Sequence, residues 1–265
     1  MAIIPFYWID AFTTKPFAGN PAAVCPLEAW LPDETLQQMA LQHGLAETAF
    51  FVPQADGSFH LRWFTPARKV DLCGHATLAS AAVLFGQNDD LGEITFSSQS
   101  GALRVRRNSN GRFELDFPSR PPVEIQNENP VSELLAALGV DQAVWVGKSR
   151  DYLVVLSDQD AVAQLSPDFE RMVKFDTSSI IVTAPGNDRD FVSRNFAPGY
   201  GIDEDPVTGS AHCTLAPYWA NRFGKSALTA RQISTRGGEL WCTVDGDRVR
   251  IAGNAVTYLK GQVFI

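Results

Sequence analysis

Three short segments of this 265-residue chain carry side chains suited to chemistry at carbon: Gly44-Leu45-Ala46-Glu47-Thr48-Ala49-Phe50, Cys73-Gly74-His75-Ala76-Thr77, and Asp205-Pro206-Val207-Thr208-Gly209-Ser210. Glu47 is a lone carboxylate leading into an apolar strand. Partial desolvation there would raise its pKa toward a value useful for proton transfer. Its plainer reading is a solvated strand end. His75 follows Gly74 at a helix start, where the dipole disfavours an added proton, so a neutral hydrogen-bonding ring is expected rather than a cation. A packed helix cap explains the same histidine. Asp205 and Thr208 are equally readable as the ordinary cap of a second helix.

These residues depend on two helices. The segment from His75 through Phe85 is apolar or small on all sides, which requires burial. Ala211 to Trp219 is similar, with Pro217 marking a kink or an early end. Each helix starts on a glycine, Gly74 or Gly209, so a ligand can come close to free backbone N–H groups and the positive end of the helix dipole. That pattern points to a carboxylate or enolate site. Under approximate two-fold symmetry the two starts are expected to share it.

The symmetry is visible in the sequence. Phe59-His60-Leu61-Arg62-Trp63-Phe64-Thr65-Pro66 matches Phe191-Val192-Ser193-Arg194-Asn195-Phe196-Ala197-Pro198 at four identical positions with one offset of 132, Phe64 to Phe196. The preceding runs, Thr48 to Pro53 and Ile180 to Pro185, keep that register, so each half reads as a hairpin. A loop, a glycine-led helix and a second hairpin around Asn110-Gly111 or Asp245-Gly246 follow in both halves. A further helix is read in each half, Leu31 to His43 and Pro130 to Leu138, stopping at Gly44 and Gly139. The proline cluster Pro118-Ser119-Arg120-Pro121-Pro122 suggests a linker, giving halves 1–118 and 119–265, with the last strand able to pack on the first half. One continuous α+β domain is the alternative.

A net charge of −8 and 45% hydrophobic residues describe an ordered globule with no basic face for nucleic acid. Arg104, Arg106 and Arg107 read as a solvated strand face. No stretch reaches the ~18 apolar residues of a membrane span, and the N-terminal run lacks a basic signal region, so a cytoplasmic location is expected. Cys25, Cys73, Cys213 and Cys242 show no zinc-ligand spacing and are expected as thiols, with no metal.

Asp10 to Val24 (containing Gly19-Asn20-Pro21-Ala22), Glu47-Thr48-Ala49-Phe50, Phe64-Thr65-Pro66, Cys73-Gly74-His75-Ala76-Thr77 and Glu204 to Ala211 together resemble the PhzF phenazine-biosynthesis-like isomerase family across nearly the whole chain. The resemblance implies an α+β, diaminopimelate epimerase-like fold: two pseudo-symmetric domains, each a mostly antiparallel barrel-like sheet around a central helix, commonly in a homodimer. It implies a cofactor-free proton shift within a small carboxylated metabolite, with Glu47 as general acid/base. His75, Asp205 and Ser210 would hold the substrate, Asn20 would line the site, and Gly74, Thr208 and Gly209 would supply the helix starts. Related two-thiol epimerases place a cysteine before each helix-start glycine. Here Cys73 is matched by Thr208, so a cysteine-dependent racemase is the lesser alternative, beside a silent metabolite-binding protein.

Overall fold

A computed structural model describes residues 2–265. The chain begins with β1 (Ile3–Ala11), β2 (Asn20–Pro26), α1 (Asp33–His43), β3 (Glu47–Pro53), β4 (Phe59–Phe64), β5 (Lys69–Val70), α2 (Gly74–Gln87), β6 (Glu93–Ser98), β7 (Gly101–Arg107) and β8 (Phe113–Pro118). It continues with β9 (Val123–Glu124), α3 (Glu128–Leu138), β10 (Trp145–Lys148), β11 (Tyr152–Val155), α4 (Gln159–Ala163), α5 (Phe169–Met172), β12 (Ile180–Pro185), β13 (Phe191–Phe196), β14 (Glu204–Asp205), α6 (Gly209–Phe223), β15 (Ala227–Gln232), β16 (Gly238–Asp245), β17 (Arg248–Gly253) and β18 (Ala255–Phe264). Two units result, Met1–Asp116 with Ala252–Ile265, and Phe117–Ile251. No helix among the described residues is long and apolar enough to cross a membrane.

In the first unit, β18 pairs antiparallel with β1, β1 with β2, β3 with β4, β6 with β7 and β7 with β8. Only β2–β3 and β4–β6 are parallel, and each needs a crossover. α1 and α2 supply them. The sheet wraps α2, whose Ala76, Leu78, Ala79, Ala81 and Phe85 are all buried completely. An all-round apolar helix gains from water exclusion on every face, which explains why this one lies at the centre.

The second unit repeats the plan. β9–β10, β10–β11, β12–β13 and β15–β16 are antiparallel, and β11–β12 and β13–β15 parallel. Register is repeated as well: Thr48↔Phe64 in β3–β4 becomes Ile180↔Phe196 in β12–β13. Trp63↔Val70 in β4–β5 becomes Asn195↔Asp205 in β13–β14. A one-residue slip would turn the apolar face outward, so burial fixes both copies alike.

Two sequence expectations change. α3 begins at Glu128, where Asn127 accepts a hydrogen bond from Asn129 N, two residues before the expected proline start. α3 precedes β10, and the crossover matching α1 is built from the short helices α4 and α5. α6 also runs on through Pro217 to Phe223. Proline removes the donor for the carbonyl four residues earlier, and that carbonyl, on Cys213, accepts instead from Arg120 N at 2.9 Å.

Candidate active site

The parallel β2–β3 pair brings the starts of two strands to one end of the first unit, with Ala22 opposite Glu47. Asn20 is the first residue of β2 and Glu47 the first of β3. The start of α2 reaches the same place, and four side chains meet there. His75 Nε2 lies 3.0 Å from Glu47 Oε2, an ion-pair approach whose angle falls short of a full hydrogen bond. His75 Nδ1 lies 3.1 Å from Asn20 Nδ2 and 3.5 Å from Cys73 Sγ. The Glu47 side chain keeps 19% of its exposure and His75 only 6%, so the carboxylate is the member open to a ligand.

Burial alone would discharge the His75 ring, but its negatively polarised neighbours outweigh burial and hold it well above the ordinary histidine range. Cys73 is itself pushed up, by burial first and by Glu47 second, and is therefore a neutral thiol. The partner that matters for the ring is the Glu47 carboxylate. The neutral ring expected from the helix dipole is thus reversed: a carboxylate at ion-pair distance exceeds the partial charge of a helix start. Asn20 suits either state, since its amide nitrogen can donate to a neutral ring and its oxygen, after a flip, accept from a charged one.

Local backbone fixes Asn20. Gly19 has φ +68°, and a Cβ there would lie 2.1 Å from Ala11 O. Ahead of it, Phe17 N donates to the buried Asp10 carboxylate at 3.0 Å, tying down the β1–β2 connection.

Glu47, Cys73 and His75 present ligand-type atoms within 4.8 Å of one another, an N/O/S set that a soft divalent cation could use. Such a cation would have to strip Nε2 of its proton and ionise a thiol whose pKa burial has raised. The acid/base use of these groups is chemically easier.

The remaining sequence candidates gather in the second unit. Thr208 is the N-cap residue of α6 without a side-chain capping bond, because its hydroxyl donates to the Asp205 carboxylate instead. Cys73 likewise makes no capping bond for α2. The Thr208 hydroxyl is thus turned to Asp205 rather than to the first amides of α6. Gly209 is buried at the start of α6, and Ser210 Oγ lies 3.4 Å from Arg150 Nη2.

Three residues here escaped sequence reasoning: Arg150, His212 and Gln232. Gln232 is fully buried, donates to Asp205 O at 2.7 Å and accepts from Thr208 N at 2.8 Å, locking the loop before α6. Its signal was present, since Leu228, Ala230 and Gln232 alternate on the inward face of β15 and only the last is polar. His212 Nδ1 is 2.9 Å from Thr208 O, and burial lowers its pKa to about 4. It is a neutral donor to that same loop.

Comparison with known proteins agrees with this geometry. Residues 9–261 match the profile of the phenazine biosynthesis-like protein family, PhzC-PhzF. An uncharacterized isomerase of Pseudomonas aeruginosa is 50% identical over 261 residues, 98% of each chain. The crystal structure of a PhzF-family protein from Enterococcus faecalis superposes with a TM-score of 0.95 at 44% identity, covering 100% of both chains. A hydroxyproline epimerase from Agrobacterium vitis, 9% identical, shares the fold alone, with a TM-score of 0.62 over 98% of this chain and 92% of its own. With its α+β epimerase-like fold and isomerase relatives spanning its whole length, this enzyme belongs to the phenazine biosynthesis-like, PhzC-PhzF, isomerase family.

Proposed function

We propose that the enzyme is a cofactor-independent isomerase that moves a proton between two atoms of a small carboxylated metabolite, with Glu47 as the general acid/base. The observation that carries this reading is the Glu47–His75 pair: a partly exposed carboxylate held 3.0 Å from a buried ring that is itself held toward its protonated form. In the forward step the Glu47 carboxylate takes a proton from substrate carbon, leaving an enolate-like anion. The His75 ring and the uncapped amides at a helix start favour that negative charge. The Glu47 acid then returns the proton to a second substrate atom. No electrons leave the substrate, so the balance closes without an oxidant.

Asn20 sets the ring orientation of His75 in this scheme. Gly74 offers an amide at the start of α2, and Asp205, Thr208, Gly209 and Ser210 hold the substrate as in the family motif. A homodimer acting in the cytoplasm accompanies this reading through the family resemblance. A racemase using Cys73 is disfavoured, because the thiol is pushed away from ionisation and its repeat counterpart is the hydroxyl of Thr208.

The test is Glu47→Gln, which preserves shape and removes the exchangeable proton. A substrate is first found by thermal shift against small unsaturated carboxylates, then followed by proton NMR in heavy water. Turnover and deuterium incorporation should fall by about 10²–10⁴-fold, the range of a lost general acid/base, with binding nearly unchanged. A variant turning over at the wild-type rate would remove Glu47 from the mechanism.

A further inference from the structure

One gap in the duplicated scaffold is filled in the second unit and open in the first. β13 pairs with β15 as far as Ser193↔Gln232 and with β14 from Asn195↔Asp205, so Arg194 alone stands between the two partners. The buried Gln232 side chain, bonded to Asp205 and Thr208, fills the opening. Arg194 is neutralised by Glu204, with two contacts of 2.8 Å.

In the first unit, β4 pairs with β6 only as far as His60↔Ser97 and with β5 from Trp63↔Val70, leaving both Leu61 and Arg62 in between. The position of Gln232, last in β15, is taken by Ser98, last in β6. The Ser98 hydroxyl donates to Gly101 O at 2.8 Å within its own turn and fills nothing. The position of Glu204, opposite Phe196, is taken by Lys69, opposite Phe64. A neutral plug and an acid have been exchanged for a short hydroxyl and a cation. A cavity of about 380 Å³ opens at this place, lined in part by Trp30, His60, Arg62, Trp63, Lys69 and Ser98.

Its charge is not balanced. Arg62 bonds Asp33 and lies 4.6 Å over the Trp30 ring, while Lys69 reaches only 3.9 Å from the other oxygen of the same Asp33. Two cations thus share one carboxylate, which is itself 65% exposed. The His60 ring is discouraged from protonation by burial and then by both cations, as a positive local potential requires. The Trp30 ring and surplus positive charge in one half-open cavity select a flat, apolar body ending in an anion.

We infer that this cavity binds a small aromatic carboxylate, with its ring beside the Trp30 indole and its carboxylate at Lys69 and Arg62. None of the lining residues belongs to the Glu47–His75 cluster, so the site stands whether or not the proposed isomerisation is correct.

Calorimetric titration with indole-3-carboxylate, and with neutral indole as control, tests it. The wild-type protein should bind one equivalent of the carboxylate, and indole about tenfold more weakly. Lys69→Glu, which copies the second unit's charge, should weaken carboxylate binding by about tenfold or more. Ser98→Gln, which copies its plug, should do the same. Melting curves confirm that each variant is folded, and Lys69 is exposed enough to be replaced without disturbing the core. Absence of binding to the wild type at about 10 mM probe, or wild-type affinity in both Lys69→Glu and Ser98→Gln, would each overturn the assignment.

Discussion

At four matched positions the two units share a backbone and differ in chemistry. Where the first unit has Asn20, Glu47, Cys73 and His75, the second has Ser149, Ser179, Thr208 and Ser210 in the same register. The first set holds a partly buried ion pair. The second is neutral, made of hydroxyls and helix-start amides. Duplication therefore preserved what packing demands, namely register, crossovers and an apolar central helix, while leaving the helix starts free to diverge. Two like acid/base sets would read as a symmetric two-base reaction; one charged set and one neutral set do not.

The sharpest way to break this comparison is through the paired arginines Arg62 and Arg194, which occupy identical register positions. Arg194 and Glu204 are both mostly buried, at 15% and 16% side-chain exposure, and Arg194 Nη1 also donates to Leu165 O at 2.9 Å. Arg194→Leu leaves a buried carboxylate and carbonyls without their cation and should cost about 3–5 kcal/mol. Arg62 pairs with the exposed Asp33, so Arg62→Leu should cost only about 1 kcal/mol. Chemical denaturation of both variants reads the difference. Equal losses would mean that the two units are energetically interchangeable here.

Two buried histidines near the two helix starts provide a second contrast, in pH. For His212 the folded pKa, about 4, lies below the unfolded value near 6.5. The unfolded chain then binds the extra proton, so stability is full above about pH 6.5 and falls by about 3 kcal/mol as pH drops toward 4. His75 has the opposite sign. Its folded pKa is raised, so its contribution is complete below about pH 6.5 and is lost as pH climbs through the folded value. Melting temperature against pH should lose its acid-side decline in His212→Phe and its alkaline-side decline in His75→Phe. If neither substitution alters the profile, the two rings do not control it.

Much of this architecture was legible because two copies confirm each other. The offset from Phe64 to Phe196 located β3, β4, β12 and β13 with their hairpins, and the glycine-led apolar runs located α2 and α6. What stayed hidden has local reasons. α4 and α5 span only five and four residues, too short to display a helical period. The register in which β18 pairs with β1, from the far end of the chain, is contained in no window of sequence. At the site, motif residues could be named, but the meeting of His75 with both Glu47 and Asn20 depends on the parallel β2–β3 pair. Gln232 was missed because one polar side chain in a strand looks like solvent exposure until its register is known.

The smallest effect concerns a turn that differs between the units. β1 and β2 are joined through Phe12 to Gly19, whereas β10 and β11 are joined by Ser149, Arg150 and Asp151 alone. The longer connection holds two non-glycine residues in the left-handed region, Phe12 at φ 63° and Phe17 at φ 69°. Phe12 gains from complete burial, but Phe17 is 72% exposed and has only the edge of Tyr258, 5.4 Å away, to offset its backbone strain. Asparagine adopts this conformation more readily and keeps the N–H that bonds Asp10. Phe17→Asn should therefore raise stability by about 0.5–1 kcal/mol in thermal unfolding. If stability rises while turnover on the identified substrate falls, the strain is retained for catalysis three residues before Asn20. If stability instead drops, the Tyr258 contact outweighs the strain, and the added loop is fixed by its aromatic edge rather than held against it.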